Sequence, residues 1–234
     1  MSRIPRRPVV LIVLLLVALP GTALARPDQP ALPATGGDRS ADPRVTVLGG
    51  TTQWVFSTRD RQFLPHTSNQ GWWSNVHRAT DSNDNYLMGR CCGGGEYRNF
   101  FTFHLTGLTG TVTSATLVLR KYEGRGGPFE KLRFNDVTTP PKKLNENQGR
   151  NIAVFRDLGR GIKYGTYRLS TADETSPDDV FRLRLNLYAL AGISRARGGF
   201  FSLGGHILTL KDGGLLFSGS GGRGRQELIV TTIP

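Results

Sequence analysis

Apolar side chains recur at every second position in three separate stretches of this 234-residue chain, a period that a helix surface cannot use. Tyr97, Phe101, Phe103 and Leu105 alternate with Glu96, Arg98, Phe100, Thr102 and His104. Ala115, Leu117 and Leu119 alternate with Thr116, Val118 and Arg120, and Phe181, Leu183, Leu185 and Leu187 with Arg182, Arg184 and Asn186. A strand sends neighbouring side chains to opposite faces, so each stretch reads as a half-buried strand with one side on a core and one on water. Further β-runs are expected at Gln53 to Ser57, Asn85 to Gly89, Lys131 to Val137, Tyr164 to Leu169, Phe200 to Leu203, His206 to Leu210, Leu215 to Ser218 and Glu227 to Ile233. Glycine clusters at 93–95, 124–127, 213–214 and 219–224 separate them as turns. Only Leu187 to Ala196 reads as helical. Many short strands, glycine turns and one short helix predict an antiparallel sandwich or barrel, a single domain over 45–234.

The N-terminus reads as an export signal. Arg3, Arg6 and Arg7 precede an unbroken apolar run, Val9 to Leu19, and Ala23-Leu24-Ala25 supplies a small-x-small cleavage site. As a helix this run is about 16 Å long against a hydrocarbon core of about 30 Å, so it cannot span a membrane. Residues 1–25 are therefore expected to be removed, releasing a secreted chain that starts near Arg26. Residues 26–44 carry four prolines and few large apolar side chains, the composition of a disordered linker. Leu32-Pro33-Ala34-Thr35-Gly36 within it matches a sortase pattern, but in a position where sortases do not act.

Loss of the three leader arginines from the 30 Lys and Arg leaves 27 against 18 acidic side chains, about +9. The excess is concentrated: residues 120–168 hold twelve basic and five acidic side chains. Such a cluster favours a polyanionic partner, and for an exported chain an anionic envelope polymer before nucleic acid, which is not expected. A solvated basic surface is the plain alternative.

Catalytic patterns are missing. There is no HExxH, GxSxG or P-loop, and His66, His77, His104 and His206 lack ligand spacing. Gly219 to Gly224 matches GxGxxG, but a strand follows where a dinucleotide site needs a helix. No enzyme activity is expected; Asp81, Asp84 and Glu96 are the clustered carboxylates that a hydrolase would have to use before the second acidic loop, Asp173, Glu174, Asp178 and Asp179. No cofactor is expected beyond a structural calcium ion, for which Asp81, Asn83 and Asp84 offer hard oxygen ligands without EF-hand spacing. An Asx turn is the simpler reading of the same residues. Cys91 and Cys92, the only cysteines, can form a vicinal disulfide, pair between molecules or stay reduced in a core. Trp72 and Trp73, with Tyr86 near in sequence, are the candidate glycan platform, since an aromatic face stacks on a sugar ring. Adjacent strand positions predict that one tryptophan packs inward and at most one binds.

A resemblance adds to this reading. Gly71-Trp72-Trp73-Ser74, Asn83 to Gly89, Glu96 to Phe103 and Val112 to Leu117 resemble a group of uncharacterised secreted bacterial proteins. The last two blocks are also similar to secreted jelly-roll modules of the DNRLRE type, which resemble carbohydrate-binding modules. Gly198 to Gly205, Phe217 to Ser220 and Gln226 to Thr231 are similar to the closing strands of that group. The resemblance implies a β-sandwich of jelly-roll type. Many members of the first group end in a membrane-sorting tail, and this chain stops at Thr231-Thr232-Ile233-Pro234. The expectation is an exported, non-catalytic β-sandwich that binds extracellular or envelope polysaccharide through the tryptophans or the basic region. A structural or adhesive matrix protein is the first alternative and a glycan-active hydrolase the second.

Overall fold

The alternating stretches around 96–105 and 115–120 fold as strands, the first of them buried on both faces, whereas the third is a strand only as far as Arg184 and its Leu187 opens a helix and is 80% exposed. The computed structural model describes residues 42–59, 63, 68–79, 85–120, 128–170, 180–217 and 226–234, all within the unit Arg39–Pro234. In chain order the first strands are β1 (Arg44–Leu48), β2 (Thr51–Ser57), β3 (Gln70–Ser74), β4 (Met88–Cys91), β5 (Gly95–His104), β6 (Thr111–Arg120) and β7 (Phe129–Asp136). Then come α1 (Pro141–Asn145), β8 (Gly149–Arg150), α2 (Ile152–Asp157), β9 (Lys163–Ser170), β10 (Val180–Arg184) and α3 (Leu187–Arg195). β11 (Phe200–Ile207), β12 (Leu215–Leu216) and β13 (Glu227–Ile233) close the chain.

Two sheets face each other. The first runs β1-β2-β13-β6-β10, every pair antiparallel, with the last strand inserted between β2 and β6. The second runs β12-β4-β5-β11-β7-β9, and β3 pairs with the opposite edge of β5. The chain crosses from sheet to sheet at β2 to β3, β5 to β6, β6 to β7, β9 to β10, β10 to β11 and β12 to β13. That repeated crossing builds an all-β sandwich. Its core contains Phe101, Phe103 and Leu105 from β5 and the loop after it, Leu117 and Leu119 from β6, and Leu228 and Val230 from β13, the inward halves of the alternating patterns. Among the described residues no helix is long and apolar enough to cross a membrane.

Several details differ from the sequence expectation, β1, β3 and β8 among them as strands outside the expected β-runs. The helix at Leu187–Arg195 is joined by α1 and α2, so the described chain has three short helices and not one. With five and six residues, neither α1 nor α2 carries enough helical period to be recognised, and neither is stable alone. They persist by docking on the outer face of the second sheet, where Leu144, Val154, Phe155 and Leu158 enclose Trp73 and Phe100 in a second core. The runs expected at Phe200 to Leu203 and His206 to Leu210 are joined in the single strand β11, which continues through Gly204-Gly205 and ends at Ile207, leaving Leu208 to Leu210 outside it. Those glycines do not break the strand; they thin it. A Cβ on Gly204 would lie 2.7 Å from Cα of Leu158, so the missing side chain lets the end of α2 touch the sheet. Finally, Arg44 belongs to β1 and not to the linker, and its guanidinium bonds Glu227 at 2.6 Å.

Candidate anion-binding face

The tryptophan platform is a correction. Trp72 and Trp73 do point to opposite faces of β3, as alternation requires, yet both are buried. Trp73 is sealed by α1 and α2, and its Nε1 donates to the carbonyl of Leu144 at 3.1 Å. Trp72 packs edge-on against Tyr97, ring centroids 4.9 Å apart, together with Leu215. The asymmetry fails because this part of the second sheet is covered on both sides. Tyr86 is likewise enclosed: its ring lies among Phe101 and Phe217, and its hydroxyl donates to the carbonyl of Arg120 at 2.9 Å. None of the three offers a free ring face for a sugar.

Cys91 and Cys92 form a vicinal disulfide. It sits at the β4–β5 turn, where Cys92, Gly93 and Gly94 take φ of +57°, +83° and +89° in succession. Cys91 lies across from Gly95 and packs on the Trp72 and Tyr97 cluster. Asp81, Asn83 and Asp84, His66, and the Asp173 to Asp179 loop lie outside the described residues, as do the leader and most of the linker. Among the described residues no three His, Cys, Asp or Glu side chains converge on a metal position. Glu96 is held by Arg98, Nε to Oε1 2.8 Å, with both side chains largely buried.

What the structure assembles instead is a cationic ladder on the outer face of the second sheet. In β7 the alternation that sends Leu132 and Phe134 into the core sends Phe129, Lys131, Arg133 and Asn135 outward. Across from them β9 aligns Arg168 with Lys131, Thr166 with Arg133 and Lys163 with Asn135. On the other flank β11 sets His206 beside Arg133. Lys131 and Arg168 are thus like charges directly opposed, an arrangement that destabilises a sheet unless something neutralises it. Lys131, Lys163 and Arg168 are exposed and Arg133 is half-buried, and no carboxylate from β7, β9 or β11 shares their face. The guanidinium of Arg168 stacks 3.9 Å above the exposed Phe129 ring, which fixes its direction. Nε of Arg133 is enclosed with no hydrogen-bond acceptor.

His206 sits at the inner rim of this ladder, nearly buried. Burial, then the charges of Arg98 and Arg133, hold its pKa down at about 4, so the imidazole is neutral at pH 7. Nδ1 lies 3.2 Å from the Asn135 amide nitrogen, whose N–H donates to it, which leaves the ring's own proton on Nε2. Arg98 is anchored away from the ladder, by Glu96, by the Phe155 carbonyl at 3.1 Å and by the Phe155 ring at 4.1 Å. The arrangement therefore presents the exposed cations of Lys131, Lys163 and Arg168, the half-buried Arg133 and the exposed Thr166 hydroxyl to one side of the sheet, with His206 and Asn135 nearly buried beside them. It can hold an extended anion. It offers no nucleophile and base in hydrogen-bonding reach of one another.

The basic run 120–168 contains Lys131, Arg133, Lys163 and Arg168, so part of this face was legible as composition. His206 and Asn135 were not. Asn135 follows the alternation of β7, whereas His206 lies on β11, and the neighbours that complete the rungs come from 28 (Asn135 to Lys163) to 73 (Arg133 to His206) residues away. No protein-family model matches the chain, and no curated protein sequence matches it significantly.

Proposed function

We propose that the chain is an exported, non-catalytic β-sandwich that binds an anionic polymer of the cell envelope or extracellular matrix through the outer face of β7, β9 and β11. The observation that carries this reading is the direct opposition of Lys131 and Arg168, with Arg133 and Lys163 on the neighbouring rungs and no carboxylate between them. A fold gains nothing from such crowding, whereas a polyanion converts the repulsion into attraction. The burial of Trp72, Trp73 and Tyr86 moves the ligand away from neutral glycans, which need an exposed ring.

Affinity electrophoresis of the mature protein through gels containing anionic wall polymer or neutral glucan tests this. Retardation should occur in the anionic gel alone, weaken steeply with added salt, and vanish for the Lys131→Gln, Lys163→Gln, Arg168→Gln triple variant, whose melting temperature should be no lower than that of the wild type. Retardation by neutral glucan, or equal retardation of the triple variant, would overturn the reading.

A self-associating structural protein is supported by a different observation. β1 is an edge strand exposed along its whole length, with Val47 and Leu48 at 69% and 68% exposure. Sedimentation that shows a concentration-dependent dimer, abolished by Val47→Lys, would favour that reading over ligand binding.

A further inference from the structure

Resting on that reading of the ladder, we infer that its ligand is a linear polyol phosphodiester, bound with one phosphate to each rung. The rungs are Lys131 with Arg168, Arg133 with Thr166 and His206, and Lys163 with Asn135. Residues two apart on an antiparallel strand repeat at about 6.8 Å, which is the interval along β7 from Lys131 to Arg133 to Asn135 and along β9 from Arg168 to Thr166; a register shift between Phe134 and Asn135 then sets Lys163 three residues from Thr166, so the third rung is reached across a bulge. In a chain of three-carbon polyols joined by phosphate, six bonds separate one phosphorus from the next. Three bonds of an extended chain cover at most about 3.8 Å and six at most about 7.6 Å, so a polyol chain slightly short of full extension matches the rung period within the freedom of lysine and arginine side chains.

Other anions fit less well. Inorganic polyphosphate has two bonds between phosphorus atoms and places charge too densely for one group per rung. A 1,4-linked polyuronate turns successive carboxylates to opposite sides, so only every second sugar addresses the face. The donor set also suits phosphate. Arginine forks match phosphate geometry in pairs of hydrogen bonds, and the exposed Arg168 and half-buried Arg133 bring two guanidinium groups to this face. The Thr166 hydroxyl and the neutral His206 ring, flanking Arg133, add donors without adding charge, as a phosphate with more than one free oxygen can use. Single-stranded nucleic acid shares the six-bond spacing, but binding it without sequence preference relies on aromatic rings that stack bases. On this face the exposed ring is Phe129, and the Arg168 guanidinium already lies over it.

The test is calorimetric titration of the mature protein with glycerol phosphodiester oligomers of one to six phosphates, with oligouronates of equal charge and with single-stranded oligothymidylate. Affinity should climb steeply up to three phosphates and then level off, exceed that for oligouronate at least tenfold, and exceed that for oligothymidylate. The salt dependence for three contacts on a flexible strand should have a slope of about −2, and Arg133→Gln should reduce it by about 0.7. Because Arg133 is partly enclosed, the exposed pair Lys131→Gln and Arg168→Gln provides a second variant that removes the first rung. Its affinity should stop rising at two phosphates. Equal binding of oligouronate, or preferred binding of oligothymidylate, would overturn the phosphodiester inference and leave the anionic face standing. Binding of no anion would overturn both.

Discussion

Replacing Trp73 with alanine separates a core tryptophan from a ligand platform. The side chain is fully buried between Phe100 on the sheet and Leu144, Val154, Phe155 and Leu158 on and beside two helices too short to hold themselves. Emptying such a site costs about 3 to 5 kcal/mol. The Nε1 hydrogen bond to Leu144 adds only about 0.5 to 1.5 kcal/mol, because the same carbonyl also accepts from the Asn147 N–H at 3.2 Å and is not orphaned. A loss of about 5 kcal/mol at 2 to 4 °C per kcal/mol for a domain of this size lowers the midpoint by about 10 to 20 °C. Thermal unfolding followed by circular dichroism measures it, with Trp73→Phe as a control that keeps an apolar ring and falls between. Anionic polymer binding well below the midpoint should be unchanged, since the ladder lies on other strands. A midpoint within about 3 °C of wild type, together with lost binding to a neutral polysaccharide, would refute the assignment of Trp73 to the core.

Stability should also depend on His206. The unfolded chain takes up a proton between pH 6.5 and about 4 that the folded chain refuses, so the fold weakens as pH falls through that window, by up to about 3 kcal/mol, and is indifferent to this group above it. Urea unfolding at about pH 7.5 and about pH 4.5 should show that share of the loss missing from His206→Gln; identical losses would count against a neutral, buried imidazole. Thiol titration of the denatured, unreduced monomer should find none, and two after reductant; two before it would exclude the Cys91–Cys92 bridge. N-terminal sequencing of protein collected from the medium should start within two residues of Arg26, and an intact Met1 there would remove the export expectation.

Local pattern was enough to read the strands, because the direction of a strand side chain depends only on its parity. The inward residues of β5 and β6, and Phe181 and Leu183 of β10, can be named from the sequence, 227–233 can be placed as a strand, and so can α3 as a helix, whose nine residues span more than two turns. Parity says which face a residue takes but not what covers that face. Alternation puts Trp72 and Trp73 on opposite sides, and their burial is decided by α1, α2 and β12, segments whose docking no local signal announces. Gly204-Gly205 shows the same limit. Glycine in a strand signals a break unless another backbone needs the space, and the end of α2 needs it here. The positive charge of residues 120–168 was visible as a sum, while its meaning came from register. Pairing Lys131 with Arg168 and setting His206 beside Arg133 required strands far apart in the chain to be aligned. Composition thus determined that the protein is basic, and alternation that it is β-rich; only the tertiary structure turned those charges into one face, because electrostatic work depends on distance in space and not on separation along the chain.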